Sequence, residues 1–424
     1  MSLHAPLKLL ARRRLAAWSI VIAVGCATIG CDKVETLVND AKDEVAKQTA
    51  PAPTTPAPAN TAAPVVAPVA APVVAIVPPE QILAEFRALP VNGISDAALA
   101  KLAAAPEAAA QITELDLSSN QHVTGSGLGE LGKLPNLKTL SVAGRGKLPA
   151  EAFNTLQQVA GLTSLDATST QINNTNMAAL AAMTGLEALN LSRTQVTGNG
   201  AGHLATLTNL KELSLDDTPT NDEAISAIKH LPLKVLRLNH AQVTNAGMAV
   251  IGEMETLEEL TIAYTPITGF GFAKAKLTNL RILNAGETNF GVEGLIHMKR
   301  FKSLEEVSLY RAQLNVDDGK LRFEPKANVF LGLSNLRKLV IGANGISDIG
   351  IARLIAGAKE LEDLQLADLP VTDRGLYELS KCPKLQSVEV SRTQVSVAGI
   401  SALKAQAAKL KHPEIVVMKD GQKH

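Results

Sequence analysis

The side chains best able to bind a metal or attack a substrate are scattered along this chain. The eight histidines are His4, His122, His203, His230, His240, His297, His412 and His424, and none pairs with another histidine or a cysteine at metal-ligand spacing. Three cysteines, Cys26, Cys31 and Cys382, give neither a disulfide framework nor a zinc spacing. Cys382, in LSKCPKL, stands alone just before an apolar run and reads as a small core residue rather than a nucleophile. Asp216, Asp217, Asp222 and Glu223 form a group that a cation would suit, but a solvated acidic edge is the favoured reading. The glycines of GSGLG (125–129) recur with a longer repeat, where they serve turns; GxxxxGK[ST], which a phosphate loop needs, is missing. These residues predict no enzyme, no metal and no cofactor.

Without a chemical centre, the composition must show what the chain builds. It has 424 residues, 46% hydrophobic and only 3% aromatic, so its core is aliphatic. Residues 1–31 hold four bases (Lys8, Arg12, Arg13, Arg14) and no acid, which leaves 37 bases against 41 acids beyond them. A mildly acidic chain without a basic stripe excludes nucleic acid as the expected partner.

The N-terminus is basic, then apolar, then small. Arg12–Arg14 precede LAAWSIVIAVGCATIGC, the pattern of a secretory signal. The apolar run is short of the ~20 residues of a stable membrane span. Small residues ending in cysteine suggest a lipobox, with Cys31 the expected lipidation site and Cys26 the alternative. A plain signal peptide and an uncleaved anchor remain the other readings. Trp18, the sole tryptophan, lies in this segment, so a chain beginning at either cysteine has none. Residues 32–49 place Val34, Leu37, Val38, Ala41 and Val45 at helical spacing, a short amphipathic helix or a solvated spacer. Nine prolines in 51–79 forbid helix and favour polyproline, an extended tether on the order of 90 Å.

From residue 112 the chain repeats with a period near 24. Clear copies are LEALNLSRTQVTGNGAGHLATLTN (186–209), LKVLRLNHAQVTNAGMAVIGEMET (233–256) and LEDLQLADLPVTDRGLYELSKCPK (361–384). Twelve units begin at Ile112, Leu137, Leu162, Leu186, Leu210, Leu233, Leu257, Leu280, Leu304, Leu336, Leu361 and Leu385. In LxxLxL the second and third apolar residues are two apart and share one face of a short strand. V-T-x-x-G then turns the chain, Thr372 or Asp373 caps a helix start in its unit, and apolar residues such as Leu376 and Leu379 follow at helical spacing. No unit buries its apolar side alone, so neighbours must stack and pair strands in parallel.

The units resemble the leucine-rich-repeat superfamily, in its short bacterial and F-box-associated form with V-T-D-x-G-L after the strand. The resemblance covers about 300 residues. It implies an α/β fold, a horseshoe solenoid of about twelve repeats with the parallel sheet on its concave face and helices on its convex face. Eukaryotic relatives often receive ubiquitin-ligase substrates, but they carry an F-box before the repeats. Here residues 80–111 occupy that place and are too short for one; they read as an N-terminal helical cap. Repeats fill 112–412, and residues 413–424 form a C-terminal cap, with EIVVM (414–418) its closing strand. The ninth unit is about eight residues too long, with a turn signal at Asp317–Gly319 and with Phe323 and Phe330, as in a contact loop or a tolerated insertion.

Solenoids place function on the exposed strand face and in irregular units. Positions between and just after the leucines point away from the core; in the middle units these include Asn190, Ser192, Arg193, Ser214, Asp216, Asp217, Asn239, Asn284, Glu287 and Ser308. Two of the three tyrosines fall there, and Tyr and Arg are enriched at binding hot spots. The expected contact patch is Arg237, His240, Tyr264, Tyr310 and Arg311. The expected function is an exported lipoprotein of the cell envelope, monomeric and held to a membrane by its N-terminal lipid, that binds another protein on its concave face. A glycan- or peptidoglycan-binding module is the first alternative, weakened by the shortage of Trp and Tyr. A ubiquitin-pathway adaptor is the second.

Overall fold

The computed structural model describes residues 77–315 and 333–424. The signal, both N-terminal cysteines, the tether as far as residue 76 and the long segment of the ninth unit, with Asp317–Gly319, Phe323 and Phe330, lie outside the described residues; Pro79, expected as the tether's last residue, instead opens the first helix. Three helices come first: α1 (Pro79–Arg87), α2 (Asp96–Ala103) and α3 (Pro106–Ala109). One open sheet follows in strict sequence order, from β1 (Glu114–Asp116) through twelve three-residue strands to β12 (Ser387–Glu389). Every neighbouring pair from β1 to β12 is parallel and in register, with central leucine beside leucine, as in Leu189↔Leu213↔Leu236, except where Val307 and Val388 take its place. β13 (Val416–Lys419) adds in parallel to β12, within the expected EIVVM segment and one residue beyond it. The chain then turns back as β14 (Gln422–Lys423), antiparallel to β13, a strand the sequence did not announce. Its Lys423 leaves a charged, two-residue edge that discourages further pairing.

Each unit contributes three leucine-type positions to the core. In the fourth these are Leu186, Leu189 and Leu191, all buried. Burying such a side chain is worth about 1.5–3 kcal/mol, and the row repeats from Ile112 to Val417 as one continuous cluster. The return path is helical but short. It is α-helical at Asp222–Ile228 and Asp348–Ile355, and 3-10 at Ala150–Gln158 and Gly269–Phe272.

The T-D-x-G motif has a different reason from the expected one. Thr372 does cap its helix, accepting from the Arg374 N–H. Asp373 does not; it accepts the N–H of Ser396 in the next unit at 2.6 Å. The same latch joins Asp96 to Thr124, Asn174 to Thr197, Asp222 to Thr244, Asn245 to Thr268 and Asp348 to Thr372. The repeating glycine is likewise not a turn residue. It sits in the first helical turn, where a Cβ on Gly247 would stand 2.3 Å from the Asp222 Oδ1, and one on Gly375 the same distance from the Asp348 Oδ1. Glycine is required there because the preceding unit's carboxylate fills the space.

Candidate interaction surface

Each strand from β3 (Ser164–Asp166) to β12 is followed by a residue with φ between +48° and +61°, among them Arg193, Asp217, His240, Tyr264, Glu287 and Arg311. A left-handed backbone costs a residue with a side chain roughly 1–2 kcal/mol. The stack compensates by hydrogen bonding. The His240 N–H donates to the Ala263 carbonyl at 2.9 Å, the Tyr264 N–H to Gly286 at 3.1 Å, and the Glu287 N–H to Tyr310 at 2.7 Å. The chain thus turns at the same place in the units from β3 to β12, and one side chain from each lines up along the rim of the sheet.

Neighbours in this row pair. Arg193 meets Asp217 at 3.2 Å, Arg311 meets Glu287 at 3.3 Å, and Arg392 bonds Asp368. The Arg392 guanidinium holds the Asp368 carboxyl below its usual range, with a smaller contribution from the Tyr310 hydroxyl. Such exposed pairs are screened by water and set side-chain direction more than stability. In the middle of the row the pairing is aromatic: His240 and Tyr264 stack with ring centres 4.2 Å apart and planes 9° from parallel. Tyr264 remains 52% exposed.

The five expected patch residues divide into two groups. His240 and Tyr264 form the stack. Tyr310 and Arg311 are adjacent, the Arg311 guanidinium 5.5 Å from the Tyr310 ring centre, and the Tyr310 hydroxyl lies 3.5 Å from Asp368. The Arg237 guanidinium bonds Glu259 at 2.8 Å, much as Arg311 bonds Glu287, and is the less exposed of the two. Between the groups the floor is small: Ala263, Gly286 and the strand residues Thr261, Asn284 and Ser308. Ser192 and Ser214, also expected on this face, are buried among their neighbours, and their hydroxyls bond each other across units at 2.7 Å.

Sequence reasoning missed a lane of carboxylates. The strand position before the central leucine carries Glu114, Glu212, Glu259, Glu306 and Asp363, and the position after it Asp116, Asp166 and Glu389. Only Arg237 and Lys338 oppose them there. The inner face is therefore acidic along its length. The signal was in the sequence, in the residue preceding the second leucine of LxxLxL.

No metal centre gathers among the described residues. The four acids considered together separate: Asp222 holds Thr244, Asp217 holds Arg193, and Asp216 accepts the Asn239 N–H at 2.7 Å. Burial raises the Asp216 carboxyl above its ordinary value. Burial likewise pushes the Cys382 thiol up to about 11. Cys382 in the folded chain is therefore expected to resist iodoacetamide at pH 7.5 and to react after denaturation. Fast native labelling, followed by mass spectrometry, would contradict the packing described here. A cavity of about 810 Å³ opens beside Arg311, lined also by Glu287, Asn289, Gln313 and Asn344. Among the described residues no helix is long and apolar enough to cross a membrane.

Comparison with known proteins agrees with this geometry. A leucine-rich-repeat family model matches residues 112–132. Leucine-rich repeat-containing protein 42 of Danio rerio is 44% identical over 70 residues, 15% of this chain and 17% of that protein. The chain thus spans about a sixth of the length of the curated relative it matches. An internalin from Listeria monocytogenes superposes with a TM-score of 0.55 at 18% identity, covering 82% of this chain and 95% of that one. The chain folds as a leucine-rich-repeat solenoid.

Proposed function

We propose that this chain is an exported, membrane-tethered scaffold that binds another protein on its concave face, around Tyr264, His240, Tyr310 and Arg311. One observation carries the reading. A flat aromatic pair stands on backbone that is costly for side chains, adds nothing to the core, and leaves half of Tyr264 in solvent. Large rigid aromatics that order little entropy on binding are the usual anchors of interfaces. The small residues between Tyr264 and Tyr310 leave relief into which a partner's side chains fit. Export and tethering rest on the basic-apolar-cysteine start and the proline-rich run. The lipid belongs on Cys31, with Cys26 the alternative.

Two experiments test the reading. Metabolic labelling with a fatty acid should mark the native protein and fail after Cys31→Ala or, on the alternative, Cys26→Ala. An unlabelled, cytosolic native protein ends the tether proposal. Retention of the full chain by envelope proteins should fall with Tyr310→Ala/Arg311→Glu. Unchanged retention removes the patch, and retention on wall material that survives protease treatment of that material favours a glycan ligand instead.

A further inference from the structure

The two ends of the sheet are finished differently. At the C-terminal end β14 folds back on β13 and leaves only a short, two-residue edge that carries Lys423. At the N-terminal end no strand among the described residues pairs with the outer side of β1. The phase of its ladder is fixed by two bonds to β2 (Thr139–Ser141): Thr139 N–H to the Thr113 carbonyl, and Leu117 N–H to the Ser141 carbonyl. Residues 113, 115 and 117 therefore bond inward, and the N–H and carbonyl groups of Glu114 and Asp116 face the open side. The Asn120 side chain occupies the Asp116 carbonyl at 3.3 Å. That leaves two N–H donors and one carbonyl, two residues apart, which is the spacing an added strand uses.

A groove of about 500 Å³ lies along this edge, between β1 and the chain that leaves α1. Its wall is apolar: Phe86, Leu89, Val91 and Ile94, with Val91 82% exposed. Phe86 and Ile94 pack against the end of the core, so this wall continues the core layer. The core is slightly open here, since Ile112 and Leu115 keep 7% exposure whereas Leu137 and Leu140, one unit further in, keep 0% and 1%. On the other side of the strand, the concave side, stand the carboxylates of Glu114 and Asp116. Arg87 is the one base lining the groove.

We infer that the open edge of β1 accepts an extended segment of another protein whose residues alternate between basic and apolar. Strand periodicity dictates the alternation. Side chains on one face of the added strand fall beside Glu114 and Asp116, and those on the other fall against Phe86, Leu89 and Ile94. A second copy of this chain does not fit, because pairing β1 with itself sets the same carboxylates opposite each other. The inference is independent of the aromatic rim and involves a different end of the solenoid.

The test uses the full chain and three fluorescent synthetic decapeptides: alternating Lys-Val, alternating Glu-Val, and the Lys-Val peptide with a central proline. The Lys-Val peptide should bind, with slowed amide exchange at residues 114 and 116 and little change at 115. The proline peptide, which lacks a ladder donor, and the Glu-Val peptide should bind about tenfold more weakly or worse. Glu114→Lys/Asp116→Lys should reverse the preference toward Glu-Val, whereas Glu306→Lys, far along the acidic lane, should leave it unchanged. Three results overturn the inference: no peptide binding; binding abolished by Glu306→Lys but retained in the edge variant; or a chain that sediments as a dimer dissolved by the edge variant.

Discussion

Phe272→Ala is expected to lower the stability of the solenoid by about 3–5 kcal/mol. The chain is poor in aromatics, and three of its eight phenylalanines meet at one place on the convex side. Phe272 sits edge-on to Phe290 at 5.1 Å and beside Phe301 at 6.2 Å, and all three are fully buried. Phe272 belongs to the short 3-10 return Gly269–Phe272, whereas Phe290 and Phe301 flank the next unit's helix, Gly291–Met298. The cluster is therefore the joint between two units. Its geometry contributes about 0.5–1.5 kcal/mol per aromatic pair beyond area burial, and the shortened return cannot collapse into the cavity left by truncation. Because each unit touches only its neighbours, weakening one joint should also divide unfolding. A urea titration followed by circular dichroism is expected to show a lower midpoint and a second transition. A loss below about 1 kcal/mol would mean that the ring contacts do not hold these units together.

The second large effect is a coupling. Asp348 accepts the Thr372 N–H at 2.8 Å and its hydroxyl at 2.6 Å. Asp348→Ala strands both donors in a part-buried position, at a cost of about 1–3 kcal/mol. Gly375→Ala places a Cβ 2.3 Å from the same carboxylate and 2.9 Å from the Val371 Cγ1, an overpacking cost of about 1–3 kcal/mol. Each substitution presupposes the other residue. Removing the carboxylate vacates most of the space the new Cβ needs, so the double variant should lose less than the two single losses together, by about 1 kcal/mol or more. Additive losses in a thermal or urea double-mutant cycle would separate the glycine from the latch.

The stacking order was legible in the sequence because it follows from one-dimensional periodicity. Leucines two apart on a strand must share a face, and twelve copies must share a core. The latch was not legible in the same way. Asp373 and Gly375 are neighbours in sequence, but their partners, Ser396 and Asp348, lie one unit away on either side. A pattern within one unit cannot assign them, and the cap reading of Asp373 fails for that reason. Ser192 and Ser214 looked solvent-exposed by alternation, yet they are buried and their hydroxyls bond each other across units. β14 carries no pattern, since two polar residues at a sheet edge are held by backbone pairing alone. At the candidate surface, residue types pointed to Tyr264, Tyr310 and Arg311 on the exposed strand face; Tyr264 and Arg311 stand in the rim row and Tyr310 beside it. What they missed was register: only the rung-by-rung alignment reveals that His240 stacks on Tyr264 and that Glu259 already occupies Arg237.

The most direct measurement of partner binding on the concave rim is site-specific photocrosslinking in living cells that make the full chain. A photoreactive phenylalanine replaces Tyr264 in one strain, Tyr310 in a second, and Tyr377, which is 45% exposed on a convex-side helix, in a third. Discrete protein adducts at positions 264 and 310, absent at 377, are the expected result. Adducts at 377 with none at 264 or 310 would contradict a concave-face scaffold and move the interaction to the helical side.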